Sequence, residues 1–145
     1  MKKNIIFICI HNSARSQMAE AYMKMYYGDE FNCYSAGLEQ GKLNPIVIDA
    51  MKDDNIDIST NKSKLVNKFL DGKIIFDYII TVCDESSAEK CPYFPGKGKR
   101  IHIGFKDPSS LIGSYKEKLQ DTIKIRDEIR EKIKSLNSYL NSQTL

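Results

Sequence analysis

Ile5-Ile6-Phe7-Ile8-Cys9-Ile10-His11-Asn12-Ser13-Ala14-Arg15-Ser16 is the stretch that decides this chain. The first four residues form an apolar run without alternation, the pattern of a strand buried on both faces. Met18, Tyr22 and Met25 follow at helical spacing, and Gly28 supplies the stop. Cys9 therefore ends a strand, and Arg15 lies six positions on, near a helix start. Ile10, His11, Asn12, Ser13 and Ala14 can curl so that their backbone N–H groups converge on one centre. The helix N-terminus adds positive potential there. Arg15 can close over a bound anion as a planar, two-pronged donor. A tetrahedral oxyanion held against a sulfur nucleophile is the expected chemistry.

Working outward, Phe31 to Ala36 reads as a second strand and Asn44-Pro45 as an N-cap followed by proline at the first helical position. Ile46, Ala50 and Met51 give that helix its buried face. A short helix is expected over 63–69, a third strand from Asp77 to Val82, and a fourth from Arg100 to Ile103. Residues 84–98 hold Pro92, Pro95, Gly96 and Gly98 and read in part as a mobile loop, and Asp107-Pro108-Ser109-Ser110 reads as a loop. From about Tyr115 to Leu140, a long helix carries Leu119, Ile123, Ile129, Ile133, Leu136 and Leu140 inward. Its charged residues are expected on a solvated face. Strands alternating with helices imply a three-layer α/β sandwich around a four-stranded parallel sheet. Ligands bind at the carboxyl ends of such strands. Cys9 and Cys83 end the first and third strands, so the topology brings both to one edge.

The chain has 145 residues, enough for one domain spanning 1–145 with a real core. Its net charge of +3 is too small to argue for a nucleic-acid or membrane partner. No apolar run approaches the roughly 20 residues of a membrane span. Met1-Lys2-Lys3 has the charge of a signal sequence, but the apolar run after it is short and already contains Cys9. The expected location is the cytoplasm. Four cysteines in a reducing compartment point to catalysis, redox chemistry or burial rather than a disulfide framework.

A buried, inert thiol is the bland reading of Cys9; the strand–loop–helix context favours a reactive thiolate. Ser16 is placed to donate to that sulfur as well as to cap the helix. Asn12 is expected to shape the loop, since asparagine tolerates left-handed backbone. Cys33 lies within a strand and reads as a core residue. His11 and His102 lack metal-ligand spacing, so no zinc site is supported.

The Cys9–Ser16 motif, Gln17-Met18-Ala19-Glu20-Ala21, Tyr34-Ser35-Ala36-Gly37, Asn44-Pro45 and Gly104-Phe105-Lys106-Asp107-Pro108 occur in an order that resembles the thioredoxin-coupled arsenate reductases. These share the low-molecular-weight tyrosine phosphatase fold. The resemblance runs through Arg126-Asp127-Glu128-Ile129 and covers nearly the whole chain. It implies Cys9 as nucleophile, Arg15 and Ser16 in support, and Asp107 as general acid. The family's resolving cysteines fall on Cys83, within Thr81-Val82-Cys83, and on Cys91, before Pro92. One more residue separates them here than in the compared members.

What the resemblance implies is a relay. Cys9 attacks arsenate, Cys83 attacks Cys9 and releases arsenite, and Cys91 attacks Cys83. Thioredoxin, or a similar thiol carrier, reduces the resulting disulfide, with no organic cofactor. Some members also bind potassium beside the loop, through positions that map to Asn12, Glu20, Ser35 and Asn67. The last is usually aspartate in those members, so the amide removes one negative charge. If 83–91 were helical, its two cysteines would lie about 12 Å apart. A disulfide needs about 7 Å or less, so bonding them requires that segment to remodel. Two other readings use the same loop. One is a tyrosine phosphatase working through phosphocysteine, against which stands the lack of a tyrosine directly after Asp107-Pro108. The other is a non-catalytic oxyanion-binding or redox-sensing module.

Overall fold

A computed structural model describes residues 2–39, 41–84 and 94–142. The elements run β1 (Lys3–Cys9), α1 (Arg15–Tyr27), β2 (Phe31–Gly37), α2 (Pro45–Asp53), β3 (Tyr78–Thr81), β4 (Lys99–His102) and α3 (Tyr115–Ser142). All four strands are parallel, in the order β2-β1-β3-β4. β1 is a central strand covered on both faces, which is why its apolar run does not alternate. Ile5, Ile6, Phe7 and Ile8 are fully buried, each contributing roughly 1.5–3 kcal/mol through burial.

The strand's two-residue period divides the core. Ile5, Phe7 and Cys9 point into a large cluster with Met18, Tyr22 and Met23 of α1, Val47 and Met51 of α2, and Ile129 and Ile133 of α3. Ile6 and Ile8 point the other way, against Phe69, Phe76, Ile79 and Phe94. Among the described residues that layer is built from edge-to-face aromatic rings and the 3₁₀ turn Val66–Phe69.

The helix expected over 63–69 is therefore one 3₁₀ turn. Its start is fixed by pairing: Leu65 bridges to Gly37, and the Gly37 N–H donates to the Lys64 carbonyl at 2.7 Å, holding the segment extended. Asn44 caps α2 as expected, its side chain accepting from the Ile46 N–H. In α1, Met25 is 51% exposed and Met23, two positions earlier, takes the buried place.

In α3 the buried stripe runs through Thr122, Ile125, Ile129, Ile133, Leu136 and Leu140, with Ile123 only half-buried. Nor are all its charges solvated. Arg126 is buried, donating to the Ala50 carbonyl at 2.7 Å and pairing with Asp53 at 3.0 Å and Asp127 at 2.6 Å. It thereby supplies hydrogen-bond donors to the end of α2, whose last carbonyls lack helical partners. Among the described residues no helix is long and apolar enough to cross a membrane.

Candidate active site

Residues 10–14 link β1 to α1, and their backbone polarity is sorted by outside partners. The Cys9 carbonyl accepts from Leu38 N–H at 3.3 Å, and that of Ile10 from Glu39 N–H at 2.8 Å. The His11 carbonyl accepts from the Ser63 hydroxyl at 2.7 Å, that of Asn12 from Gln17 Nε2 at 3.2 Å, and that of Ser13 from Asn44 N–H at 2.9 Å. A trans peptide holds its C=O and N–H on opposite sides. Five successive carbonyls bonded outward therefore turn the N–H groups of 10–14 toward the inside of the loop. The Asn12 N–H shows this directly, donating to Cys9 Sγ at 3.2 Å.

Asn12 is the hinge of this turn. Its φ of 53° lies in the left-handed region, as its residue type led one to expect. Its Oδ1 accepts from Lys64 N–H and from Gln17 Nε2, both at 2.9 Å. Its Nδ2 donates to Ser16 Oγ at 2.7 Å. Ser16 Oγ lies 2.9 Å from Cys9 Sγ. Because Ser16 Oγ already accepts from Asn12, its own hydrogen is left for the sulfur. Cys9 Sγ thus faces two donors. Ala14, at the N-cap of α1, makes no side-chain cap bond, and the first turn holds no acid. Nothing in that turn opposes an anion at the positive end of the helix.

Arg15 is 3% exposed; its Nη1 donates to the Phe105 carbonyl at 3.2 Å, and its Nη2 lies 3.6 Å from Asp107 Oδ2. Asp107 is held in turn by Ser109 N–H at 2.9 Å on Oδ1 and by the Ser110 hydroxyl at 2.7 Å on its carbonyl. Asn44 Nδ2 donates to Ser109 Oγ at 3.2 Å, so one residue ties the acid's loop to the carbonyl of Ser13. Tertiary structure thus brings Cys9, Asn12, Arg15, Ser16 and Asp107 together across nearly a hundred residues.

The other cysteines separate. Cys83 is fully buried just beyond β3, at the sheet edge that Cys9 occupies, and is disulfide-bonded. Cys9 and Cys33 are free thiols. Burial, then the Glu20 carboxylate, push the Cys33 thiol up to about 12, so it stays protonated and unreactive near neutrality. Cys91, most of the 84–98 loop and the proposed remodelling lie outside the described residues.

Two parts of the site stand in the sequence only as members of matching motifs, with no role assigned to them there. Gln17 is buried with its amide donating to Asn12 Oδ1, the Asn12 carbonyl and the Lys62 carbonyl at 3.0 Å. Its signals in the sequence were a polar side chain on the inward turn of α1 and its place in the matching motif Gln17-Met18-Ala19-Glu20-Ala21. Gly37 packs directly beneath the loop. A Cβ there would sit 2.7 Å from Asn12 N, His11 C and Ile10 O. Gly37→Ala must shift backbone, at a cost of about 1–3 kcal/mol. Activity is expected to fall with it, read by a thermal melt beside a rate assay.

The residues aligned with a potassium site do not fit the ion. Glu20 Oε2 is 2.6 Å from Lys24 Nζ, and Oε1 is 3.5 Å from Lys64 Nζ and accepts from the Ser35 hydroxyl. Asn12 Oδ1 already has two donors, and Asn67 is exposed on its turn. His11 Nε2 pairs with Glu39 at 3.1 Å, and His102 Nδ1 lies 2.7 Å from Thr81 Oγ1. No group of three His, Cys, Asp or Glu side chains is placed to hold a metal among the described residues.

A family model described as low molecular weight phosphotyrosine protein phosphatase matches residues 4–144. The arsenate reductase of Bacillus licheniformis is 45% identical over 135 residues, covering 92% of this chain and 94% of that protein. The arsenate reductase of Bacillus subtilis (strain 168) is 42% identical over 132 residues, covering 91% and 93%. A solved arsenate reductase in its reduced state aligns with a TM-score of 0.73 at 25% identity, covering 95% of this chain and 98% of the other. With its parallel sheet, its outward-bonded loop and relatives matched along nearly their full length, this chain is an enzyme of the low molecular weight phosphotyrosine protein phosphatase family, grouped with the arsenate reductases.

Proposed function

We propose that this enzyme reduces arsenate to arsenite through Cys9, Cys83 and Cys91, with a thioredoxin-type dithiol as final reductant. The observation that carries the reading is the loop itself: five carbonyls bonded outward and N–H groups turned in around Cys9 Sγ. Converging amides at a helix N-terminus suit a tetrahedral oxyanion. Ser16 and Asn12 as donors suit a charged sulfur.

In the proposed first step the Cys9 thiolate attacks arsenic. An As–O bond breaks, and that hydroxyl leaves as water with a proton from Asp107. Arg15 turns its guanidinium from Asp107 to the arsenate oxygens, which compete for the same donors. Cys83 sulfur then attacks Cys9 sulfur. The S–As electron pair passes to arsenic, taking it from As(V) to As(III), and the two sulfurs are oxidised to a disulfide. Cys91 displaces Cys9 from Cys83, and the external dithiol reduces the Cys83–Cys91 bond. A free Cys9 and a disulfide-bonded Cys83 support this order. So does the resting place of Cys83 at the edge where β1 ends.

Phosphate has nearly the size and charge of arsenate, so slow hydrolysis of phosphate esters is expected as a side activity. Ser109 and Ser110 follow Asp107-Pro108 and bond back to Asp107, leaving no aromatic side chain there to flank a phosphotyrosine ring. The deciding assay combines the purified chain with arsenate, thioredoxin, thioredoxin reductase and NADPH. Sustained NADPH oxidation that requires arsenate and yields arsenite is the expected result. Absence of arsenate-dependent oxidation, with the reductase shown to be active, would sink the proposal.

A further inference from the structure

Glu20 is a buried carboxylate on α1, its side chain 7% exposed, and two ammonium groups meet it from different elements. Lys24 reaches it from one turn along the same helix and is 56% exposed. Lys64 reaches it from the segment before the Val66–Phe69 turn, and its side chain is 23% exposed. The Lys64 ammonium also donates to the Lys62 carbonyl at 3.4 Å. A carboxylate oxygen and a backbone carbonyl around one positive charge is the donor set a monovalent cation would use.

The backbone of Lys64 joins this centre to the Cys9 loop. Its N–H donates to Asn12 Oδ1 at 2.9 Å, and its carbonyl accepts from Gly37 N–H at 2.7 Å. Lys62 O and Asn12 Oδ1 are bridged by the Gln17 amide. A continuous path therefore runs from the ammonium through Lys64, Asn12 and Ser16 to Cys9 Sγ. Glu20 with two lysines carries a net charge of +1, so a further cation would be repelled.

We propose that the Lys64 side chain is a built-in cation for the oxyanion loop: a positioning residue that neutralises Glu20, fixes the Lys64 backbone whose N–H donates to Asn12, and makes the enzyme independent of alkali-metal ions. The idea rests on the reading of the Cys9 loop as an anion site. Its stability readout, however, needs no anion and stands or falls separately.

The test uses the full chain, melted in KCl, NaCl and choline chloride at matched ionic strength, together with phosphate titration by calorimetry. Wild-type protein is expected to melt at one temperature in all three salts. Lys64→Met is expected to melt lower than wild type in choline chloride and to regain several degrees in KCl, as potassium takes the vacated position. Its phosphate affinity in choline chloride should drop on the order of tenfold, the usual effect of losing an outer support, and recover partly in KCl. Lys24→Met, at the exposed end of the cluster, should show no potassium-specific recovery. A wild-type melting point that rises specifically in KCl overturns the proposal, as does a Lys64→Met protein that potassium fails to stabilise. The wild-type arm remains decisive even if Lys64→Met does not fold. Failure of the wild-type chain to bind phosphate under any salt would instead count against the anion-site reading, leaving the melting comparison intact.

Discussion

Cys83→Ser is expected to end multi-turnover arsenate reduction while leaving hydrolysis of a small aryl phosphate close to the wild-type rate. In the proposed mechanism the two reactions share the Cys9 loop and Asp107 but part after the first covalent adduct. Water can resolve a phosphocysteine; reducing arsenic requires a second sulfur to take up the S–As bond. Serine oxygen forms no stable bond to sulfur there, so the variant stalls after one equivalent. Cys83 is fully buried, and a hydroxyl in its place costs about 1–3 kcal/mol if it finds no partner. The retained phosphatase rate is therefore also the control for folding. Cys91→Ser should share the phenotype but permit a single round, detectable as one arsenite per chain. Wild-type turnover of arsenate by both variants would refute the relay.

The second large effect concerns Arg15. Arg15→Lys should lower kcat/KM for arsenate and for the phosphate ester together, by about 10²–10³-fold, the usual cost of losing one oriented donor to a developing anion. Lysine keeps the charge but loses the planar fork that spans the Phe105 carbonyl and Asp107. With Arg15 almost wholly buried, the shorter lysine side chain also leaves the Phe105 carbonyl short of a donor, so a modest drop in melting temperature should accompany the kinetic loss. A parallel fall in both activities with a near-normal melt marks the guanidinium as part of the anion site. An unchanged kcat/KM for both substrates would remove Arg15 from the mechanism.

The central strand and the loop after it were legible because local pattern and tertiary role coincide there. Four consecutive apolar residues have few homes other than a strand buried on both faces, and left-handed Asn12 follows from its side chain. Helix α3 was legible as a helix but not in its buried face. Ile123 and Ile125 differ by two positions, and either fits an apolar stripe. Arg126 reads as surface charge in any sequence. Only the open carbonyl end of α2 beside it, with Asp53, makes burial favourable. The turn at Val66–Phe69 is shorter than the helix expected over 63–69 because its start is held extended by Gly37, a partner remote in sequence.

Gln17 and Lys64 were missed as parts of the site for a shared reason. Each acts through acceptors supplied by other segments: Asn12, the Lys62 carbonyl and Glu20. No spacing rule carries that information.

The amino-acid sequence by itself determined the strand–loop–helix unit, the parallel α/β class and the placing of Cys9 and Arg15 at the two ends of one loop, since these rest on local pattern. Tertiary structure alone decided that Asp107 meets Arg15, that the loop carbonyls are drawn outward by Leu38, Glu39, Ser63 and Asn44, and that ammonium groups occupy Glu20. The physical reason is that hydrogen bonds and ion pairs depend on where separate segments come to lie, and only burial of the common core sets those positions.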